Sequence, residues 1–163
     1  YNILAARGIL DGSSPDGLLV RHVYFKRDKY LVAGERITLH ALEHALIRPL
    51  KEPRIHFAIV CASQSCPILQ REAYTLTQLD QQLEAAARSF INDRERNQFN
   101  PTSRRAELSS IFKWFEEDFA EAAGSLQAYL APMVDNENVA SLLEQEAFNI
   151  SYRKYDWNLN GTR

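Results

Sequence analysis

The sequence has few of the features that mark a specialised class of protein. No apolar run approaches the roughly 18 residues that indicate a membrane-spanning helix. The formal net charge is only −2, so we expect no general attraction to nucleic acid or to an anionic membrane. The chain has 163 residues, 45% of them apolar, which is enough to bury a core, and we predict one compact domain over residues 1–163.

Short motifs of known chemistry are also missing. There is no glycine-rich phosphate loop, GxSxG or HExxH, so the sequence predicts no cofactor. Only two cysteines are present, Cys61 and Cys66, too few for a disulfide scaffold. A bridge between them is possible and would close a small loop. The first residue is Tyr1, inside an apolar segment, so we expect the natural chain to be truncated here at its N-terminus.

Apolar patterning predicts several short strands. The segment "LLVRHVYFKRDKYLVAGERITL" alternates and is rich in Val, Tyr and Phe, which predicts two or three strands turning near Arg27-Asp28 and Ala33-Gly34. The segment "RIHFAIVC" has apolar residues at both its odd and its even positions, which predicts a central strand covered on both faces. A short strand around Gln98-Phe99 and a last one in "ISYRKYDWNLN" complete the set.

Helical periodicity accounts for much of the remaining chain. Thr38 is expected to cap a helix that Pro49 ends, and the segment from Thr77 resembles a capping box. Helices are predicted over about residues 39–48, 79–91, 108–119, 125–130 and 139–147. Helices interleaved with few strands predict an α+β (mixed α/β) fold, with a small central sheet flanked by several helices.

Five segments together resemble a known family: "YN", "ITLHALEHALIR", "RIHFAIVCASQSCPILQREAY", "LSSIFKWFEEDF" and "YDWNLN". In this order they are similar to the bacterial and plant family called domain of unknown function 547. The resemblance supplies no catalytic residue, because the biochemistry of the family is unassigned. Many bacterial members are exported, which favours an exported or periplasmic protein, and plant members join the domain to coiled coils. His40 falls where the family more often has an acidic residue.

Cys66 is the main candidate for a reactive group. It precedes Pro67, which suits the first position of a helix, so we expect Cys66 at the positive end of a helical turn. That position would lower the pKa of the thiol and favour the reactive thiolate. A nucleophilic cysteine needs a base, which His56 or His44 could supply, and backbone amides of "SQSCP" could stabilise an oxyanion. The alternative is a small buried thiol that fixes a loop.

Two carboxylates are candidates for orienting the base. Glu43 lies beside the apolar stripe of its predicted helix, where a carboxylate needs a partner, and His44 lies at the margin of that stripe. Glu43 would then orient an imidazole, as the third group of a triad does, or it would form a structural buried ion pair. Asp156 is a further candidate, whose alternative role is to bond backbone amides.

These residues support two hypotheses of function. The first is a thiol-dependent hydrolase or acyl-transferase with a papain-like or transglutaminase-like mechanism. This is an analogy at the level of fold only. The alternative is a non-catalytic binding or assembly module in which the Cys/His cluster is structural. Zinc held by His44, His56, Cys61 and Cys66 is a weaker hypothesis, because the spacing is looser than CxxC and no ligand pair recurs. The substrate or protein partner is not identified by the sequence.

Overall fold

The computed structural model describes residues 1–161, which form helices and two small sheets. The α-helices are α1 Asn2–Leu10, α2 Leu18–Lys26, α3 Leu39–Ala41, α4 Leu79–Ile91, α5 Ser110–Trp114, α6 Glu116–Ala123, α7 Leu126–Leu130 and α8 Glu137–Glu144. The strands are β1 Lys29–Val32, β2 Glu35–Thr38, β3 Gln98–Asn100, β4 Arg105–Leu108 and β5 Asn149–Tyr152. The predicted α+β class is confirmed.

The chain divides into two compact units. Unit 1 consists of Tyr1–Lys51, Ala58–Arg71 and the chain from Asp156 onward, and unit 2 consists of Glu52–Phe57 and Glu72–Tyr155. Each unit therefore uses segments that are distant in sequence. The single-domain organisation stays a prediction.

Unit 1 contains the antiparallel hairpin of β1 and β2, in which Lys29 pairs with Thr38. Its turn is at Ala33-Gly34, as predicted, and both residues have positive φ, as a tight hairpin turn requires. The segment before the hairpin is helix α2, so the strand predicted there is wrong. The β-branched and aromatic composition suggested a strand, but Tyr24 is the one residue of this helix that is buried, where it packs with Ala5.

The predicted cap at Thr38 is confirmed, because its Oγ1 accepts the N–H of Ala41 at 3.1 Å. The helix after it is irregular: three residues of α3 continue as a π-helix, Leu42–Ile47, and a 3₁₀ turn, Arg48–Leu50. Pro49 lies in that last turn. Proline has no N–H to donate to a continuing helix, and the helical run ends one residue after it, at Leu50.

Unit 2 contains a three-stranded sheet in the order β3-β4-β5. Strand β4 pairs antiparallel with β3 and parallel with β5, and helices α5 to α8 form the connection between β4 and β5. The core is dominated by aromatic rings, with Phe57, Phe90, Phe112 and Phe119 in mutual contact. The predicted short strand around Gln98-Phe99 is confirmed as β3.

Several predicted elements differ from the structure. "RIHFAIVC" is not a strand: it begins as a 3₁₀ helix, Pro53–Phe57, although Ile55, His56 and Phe57 are buried as expected. The predicted capping box is wrong, because α4 begins after Gln78 without a side-chain cap. The predicted helix over 108–119 is two helices, separated at Phe115. The last strand is only β5, which ends at Tyr152.

Candidate functional site

The two cysteines lie at the ends of a folded loop in unit 1, which we call the thiol loop (Cys61–Cys66). Both are thiols and are not joined by a disulfide. Ala62 adopts a left-handed conformation with φ of 61°, and the N–H of Cys66 donates to the carbonyl of Ser63 at 3.1 Å. The loop therefore turns back on itself, which brings the two Sγ atoms to 3.2 Å.

The sulfur of Cys66 is an acceptor in this loop. The backbone N–H of Cys61 donates to it at 2.9 Å, and the Cys61 thiol also donates to it. The Cys61 sulfur lies 3.1 Å from Ser63 Oγ. Cys66 is 3% exposed and Cys61 is half-buried, so Cys61 is the more accessible thiol.

The helix predicted after Cys66 is absent, because the chain from Pro67 to Tyr74 is irregular. A helix dipole therefore does not act on this thiol. The groups that can favour its thiolate are instead the two hydrogen-bond donors at its sulfur. The predicted oxyanion site in "SQSCP" is also not formed as expected. The N–H groups of Gln64, Ser65 and Cys66 already donate to backbone carbonyls, so they are not available to a substrate oxygen.

The end of the chain braces the thiol loop from one side. Ser65 N–H donates to the carbonyl of Asp156 at 3.2 Å, and Asp156 N–H donates to Ser65 Oγ at 2.9 Å. The Asp156 carboxylate accepts the N–H of Asn158 at 2.9 Å. These contacts correspond to the alternative role of Asp156, which was to bond backbone amides.

Asn2 holds the segment that leads into the thiol loop, and sequence reasoning did not identify it. Its side-chain amide donates to the carbonyl of Ala58 at 2.8 Å and accepts the N–H of Val60 at 3.0 Å. A single side chain thus satisfies two backbone groups, as a neighbouring strand would. The signal available in the sequence was its place in the "YN" pair of the family resemblance.

Two phenols report on the charges around the thiol loop. The pKa of the Tyr1 phenol is raised well above its ordinary value, first by burial and then by the Glu43 carboxylate, with smaller effects from Cys61 and Cys66. Burial is also the main reason for the raised pKa of Tyr24, followed by Cys61. Glu43 and both thiols therefore raise the pKa of the same phenol.

His44 lies on the π-helix of unit 1 and is half-buried. Its Nδ1 is 3.0 Å from the Arg48 guanidinium, and its ring lies 4.2 Å from that of His40, centroid to centroid. A guanidinium can only donate, so Nδ1 accepts and the hydrogen of the neutral imidazole is on Nε2. The pKa of His40 is lowered by burial and then by Lys26.

His56 belongs to unit 2 and is 3% exposed. Its Nε2 lies 2.7 Å from Asp118 Oδ2, and its ring stacks on Phe115 at 3.8 Å with an edge contact to Phe119. Asp118 therefore orients this imidazole. It was missed by sequence reasoning, because it is 62 positions from His56 and no local pattern links them.

Unit 2 also contains a solvent-open cavity of about 1080 Å³, between the end of α4, the sheet and the start of α8. One exposed face of the sheet forms part of its wall, since Gln98 pairs with Glu107, which pairs with Ser151. The polar lining includes Arg94, Gln98, Asn100, Arg105, Glu107 and Ser151. The cavity was not predicted, because its lining comes from five separate helices and strands.

Two further features were sought over the part of the chain that the structure describes. Within residues 1–161, no three His, Cys, Asp or Glu side chains are grouped so that they could hold a metal ion. No helix in that range has the length and apolar character needed to cross a membrane.

Comparison with known proteins gives one match. No curated protein and no solved structure matches the chain significantly. The family model described as "Protein of unknown function, DUF547" matches residues 1–91, which is more than half of the 163 residues. The matched range contains the thiol loop, Asn2, Glu43 and the three histidines discussed above. The chain therefore belongs to the DUF547 family of proteins of unknown function.

Proposed function

We propose that the chain is a thiol-dependent hydrolase or acyl-transferase with Cys66 as its nucleophile. The observation that supports this proposal is the pair of donors at its sulfur, the backbone N–H at 2.9 Å and the thiol of Cys61 at 3.2 Å. Hydrogen bonds to the charged form of a group favour that form, and the thiolate is the nucleophilic form of cysteine.

In this reaction the Cys66 thiolate attacks the carbonyl carbon of an ester, thioester or amide. A carbon–sulfur bond forms, the bond to the leaving group breaks, and a general acid gives the leaving group a proton. Water or an acceptor molecule then attacks the thioester, releases the acyl product and returns a proton to the acid. Glu43 and His44, which share unit 1 with Cys66, are the proposed proton-transfer groups.

The burial of Cys66 sets a requirement on this chemistry. Cys66 is 3% exposed, so a substrate reaches its sulfur only when neighbouring side chains move aside. His56 and Asp156 were also predicted as catalytic residues. The partner of His56 is Asp118, and the contacts of Asp156 are those of a structural residue, so neither is assigned a step here.

The test combines labelling with an assay for acyl transfer. Incubation with an activated thioester, followed by peptide mass spectrometry, is expected to find the acyl group on Cys66 and not on Cys61. Hydrolysis of a panel of activated esters and thioesters should be lost in Cys66→Ala and kept in Gln145→Ala, an exposed control in unit 2. Hydrolysis that is unchanged in a folded Cys66→Ala variant would overturn the proposal.

A second candidate function is a non-catalytic binding module, and the cavity of unit 2 favours it. Its volume of about 1080 Å³ suits a small molecule, and its guanidinium, amide and hydroxyl groups suit a ligand with several hydroxyl or carboxylate groups. Protein-observed NMR with a library of sugars and small carboxylic acids would test this function. Binding should weaken in Arg105→Gln and persist in Arg104→Gln, an exposed neighbour outside the lining. A library without any binder would exclude this ligand class.

A further inference from the structure

We propose that the thiol loop is a site of reversible oxidation, at which Cys61 reacts with a peroxide and Cys66 then closes a disulfide with it. This inference concerns the two sulfurs alone and holds whether or not the chain is a hydrolase. It rests on their separation, on the loop that holds them together and on their different exposure.

The separation of the two sulfurs already favours bond formation. The Sγ atoms are 3.2 Å apart, and a disulfide bond is about 2.05 Å long, so closure needs a movement of roughly 1.2 Å. The loop holds them there by two independent features: the left-handed Ala62 and the hydrogen bond from Cys66 N–H to the Ser63 carbonyl. The fold therefore already holds the two thiols in contact, so little conformational entropy is left to lose when the disulfide closes.

The exposure of the two thiols assigns their roles. Cys61 is half-buried, whereas Cys66 is 3% exposed, so a small oxidant in solution meets Cys61 first. The proton between the two sulfurs can pass from Cys61 to Cys66, and Ser63 Oγ, 3.1 Å from the Cys61 sulfur, can donate to the Cys61 thiolate that results. Cys66 has its sulfur against that of Cys61, which is the position of a resolving thiol.

The two steps balance with hydrogen peroxide as the oxidant. The Cys61 thiolate attacks one peroxide oxygen, the O–O bond breaks, and Cys61 sulfenic acid and hydroxide form. The Cys66 thiolate then attacks the Cys61 sulfur, the S–O bond breaks, and the disulfide and a second hydroxide form. The two protons of the original thiols neutralise both hydroxides, so two thiols and one peroxide give one disulfide and two waters.

The bond should be easy to reverse. A bridge between residues five positions apart closes a small loop, and a small loop adds little to the stability of the folded state. A reductant can therefore open it without first overcoming a large stabilisation. If the proposed function also holds, the disulfide occupies the Cys66 sulfur and stops acyl transfer until it is reduced.

The sequence offers a direct measurement, because trypsin releases both cysteines in one peptide, from Ile55 to Arg71. After treatment with hydrogen peroxide, excess maleimide and digestion, we expect this peptide to lack two hydrogens and to carry no maleimide. Dithiothreitol should restore both thiols. The readout uses no activity assay, so its failure is distinct from a failure of the proposed function.

Two variants test the order of the steps. In Cys66→Ser, Cys61 should accumulate as sulfenic acid that dimedone traps, whereas in Cys61→Ser the buried Cys66 should react roughly tenfold more slowly. Two remaining thiols in peroxide-treated wild-type protein would overturn the proposal. A peptide with two added oxygens, a disulfide between two chains, or faster trapping at Cys66 than at Cys61 would each do the same.

Discussion

The two units differ in the apolar packing inside each of them. Unit 1 has a core cluster of only three buried residues, Ala5, Tyr24 and Leu39, whereas the cluster of unit 2 contains 17. Eleven of the 14 exposed large apolar side chains belong to unit 1. Side-chain hydrogen bonds occur in both units, and in unit 1 they include those of Asn2 and of the thiol loop. The two units thus differ most in how much apolar surface each of them buries.

Each unit contains one of the two tryptophans of the chain, which makes this contrast measurable. Trp114 contacts Tyr155 in unit 2, with ring centroids 4.7 Å apart. In unit 1 the Arg21 guanidinium lies 4.2 Å from the ring of Trp157. A Trp157→Phe background therefore reports on unit 2 by fluorescence, and a Trp114→Phe background reports on unit 1.

The largest effect is expected for Phe119→Ala in unit 2. Phe119 is fully buried and touches Phe57, Phe112 and Tyr129, so its removal leaves a cavity that rigid neighbours cannot fill. We expect a loss of about 3–5 kcal/mol in the free energy of unfolding, measured with urea through Trp114. Leu76→Ala, at a side chain 96% exposed, is the control. A smaller loss of unfolding free energy than for Leu39→Ala, the matching change in unit 1, would contradict the difference in packing between the two units.

A smaller effect is expected for Leu39→Ala in unit 1. Leu39 is fully buried, but most of its apolar neighbours are only partly buried and can move into the space that it leaves. The expected loss is about 2–3 kcal/mol, at the low end for this substitution, measured through Trp157. Leu31→Ala, at a residue 73% exposed, should change the free energy by less than about 0.5 kcal/mol. Equal losses in Leu39→Ala and Phe119→Ala would contradict the predicted difference between the two units.

The third prediction concerns the polar contact inside the aromatic core of unit 2. Asp118→Ala removes the acceptor of the buried His56 imidazole, which should cost about 1–3 kcal/mol. Urea unfolding through Trp114 measures the change, and Glu117→Ala is the exposed neighbour for comparison. If both variants unfold alike, the His56–Asp118 contact does not stabilise unit 2.

The smallest effect is expected at a helix cap. Thr38→Ala in unit 1 removes the hydrogen bond to the N–H of Ala41 and should cost about 1 kcal/mol. Thr77→Ala in unit 2 is the matched control, because α4 begins without a side-chain cap. Thermal unfolding of both variants gives the comparison, and a larger shift for Thr77→Ala would be the contrary result.

Sequence patterns predicted the fold best where the period was unambiguous. The stripe of Leu83, Ala86 and Phe90 has helical spacing only, and these residues lie on helix α4 as predicted. The segment "RIHFAIVC" has no periodic spacing that separates helix from strand, because every position from Ile55 to Cys61 is apolar or buried. A 3₁₀ turn buries such a run as well as a strand does. Helix α2 was not predicted, because its β-branched and aromatic composition is typical of strands. Tyr24 is its one buried residue, so no apolar stripe in the sequence marks it as a helix.

The candidate site was predictable in its residue types but not in its contacts. A bridge between Cys61 and Cys66 was among the alternatives, since the two are close in sequence, and their sulfurs are in contact. The roles of Asn2 and Asp118 depend on partners 56 to 62 positions away, which no local pattern encodes. The donor at the Cys66 sulfur is a backbone N–H, a group that every residue but proline has.

The bracing of the thiol loop by the end of the chain has a consequence for biosynthesis. The carbonyls that accept from Gln64 and Ser65 belong to Asn158 and Asp156, and Asn160 donates back to Ala62. On the ribosome, the loop has none of these bonds until about ninety further residues have been translated. The two cysteines are thus translated about ninety residues before the segment that braces their loop, so the hydrogen bonds of the loop are completed only after that segment has been made.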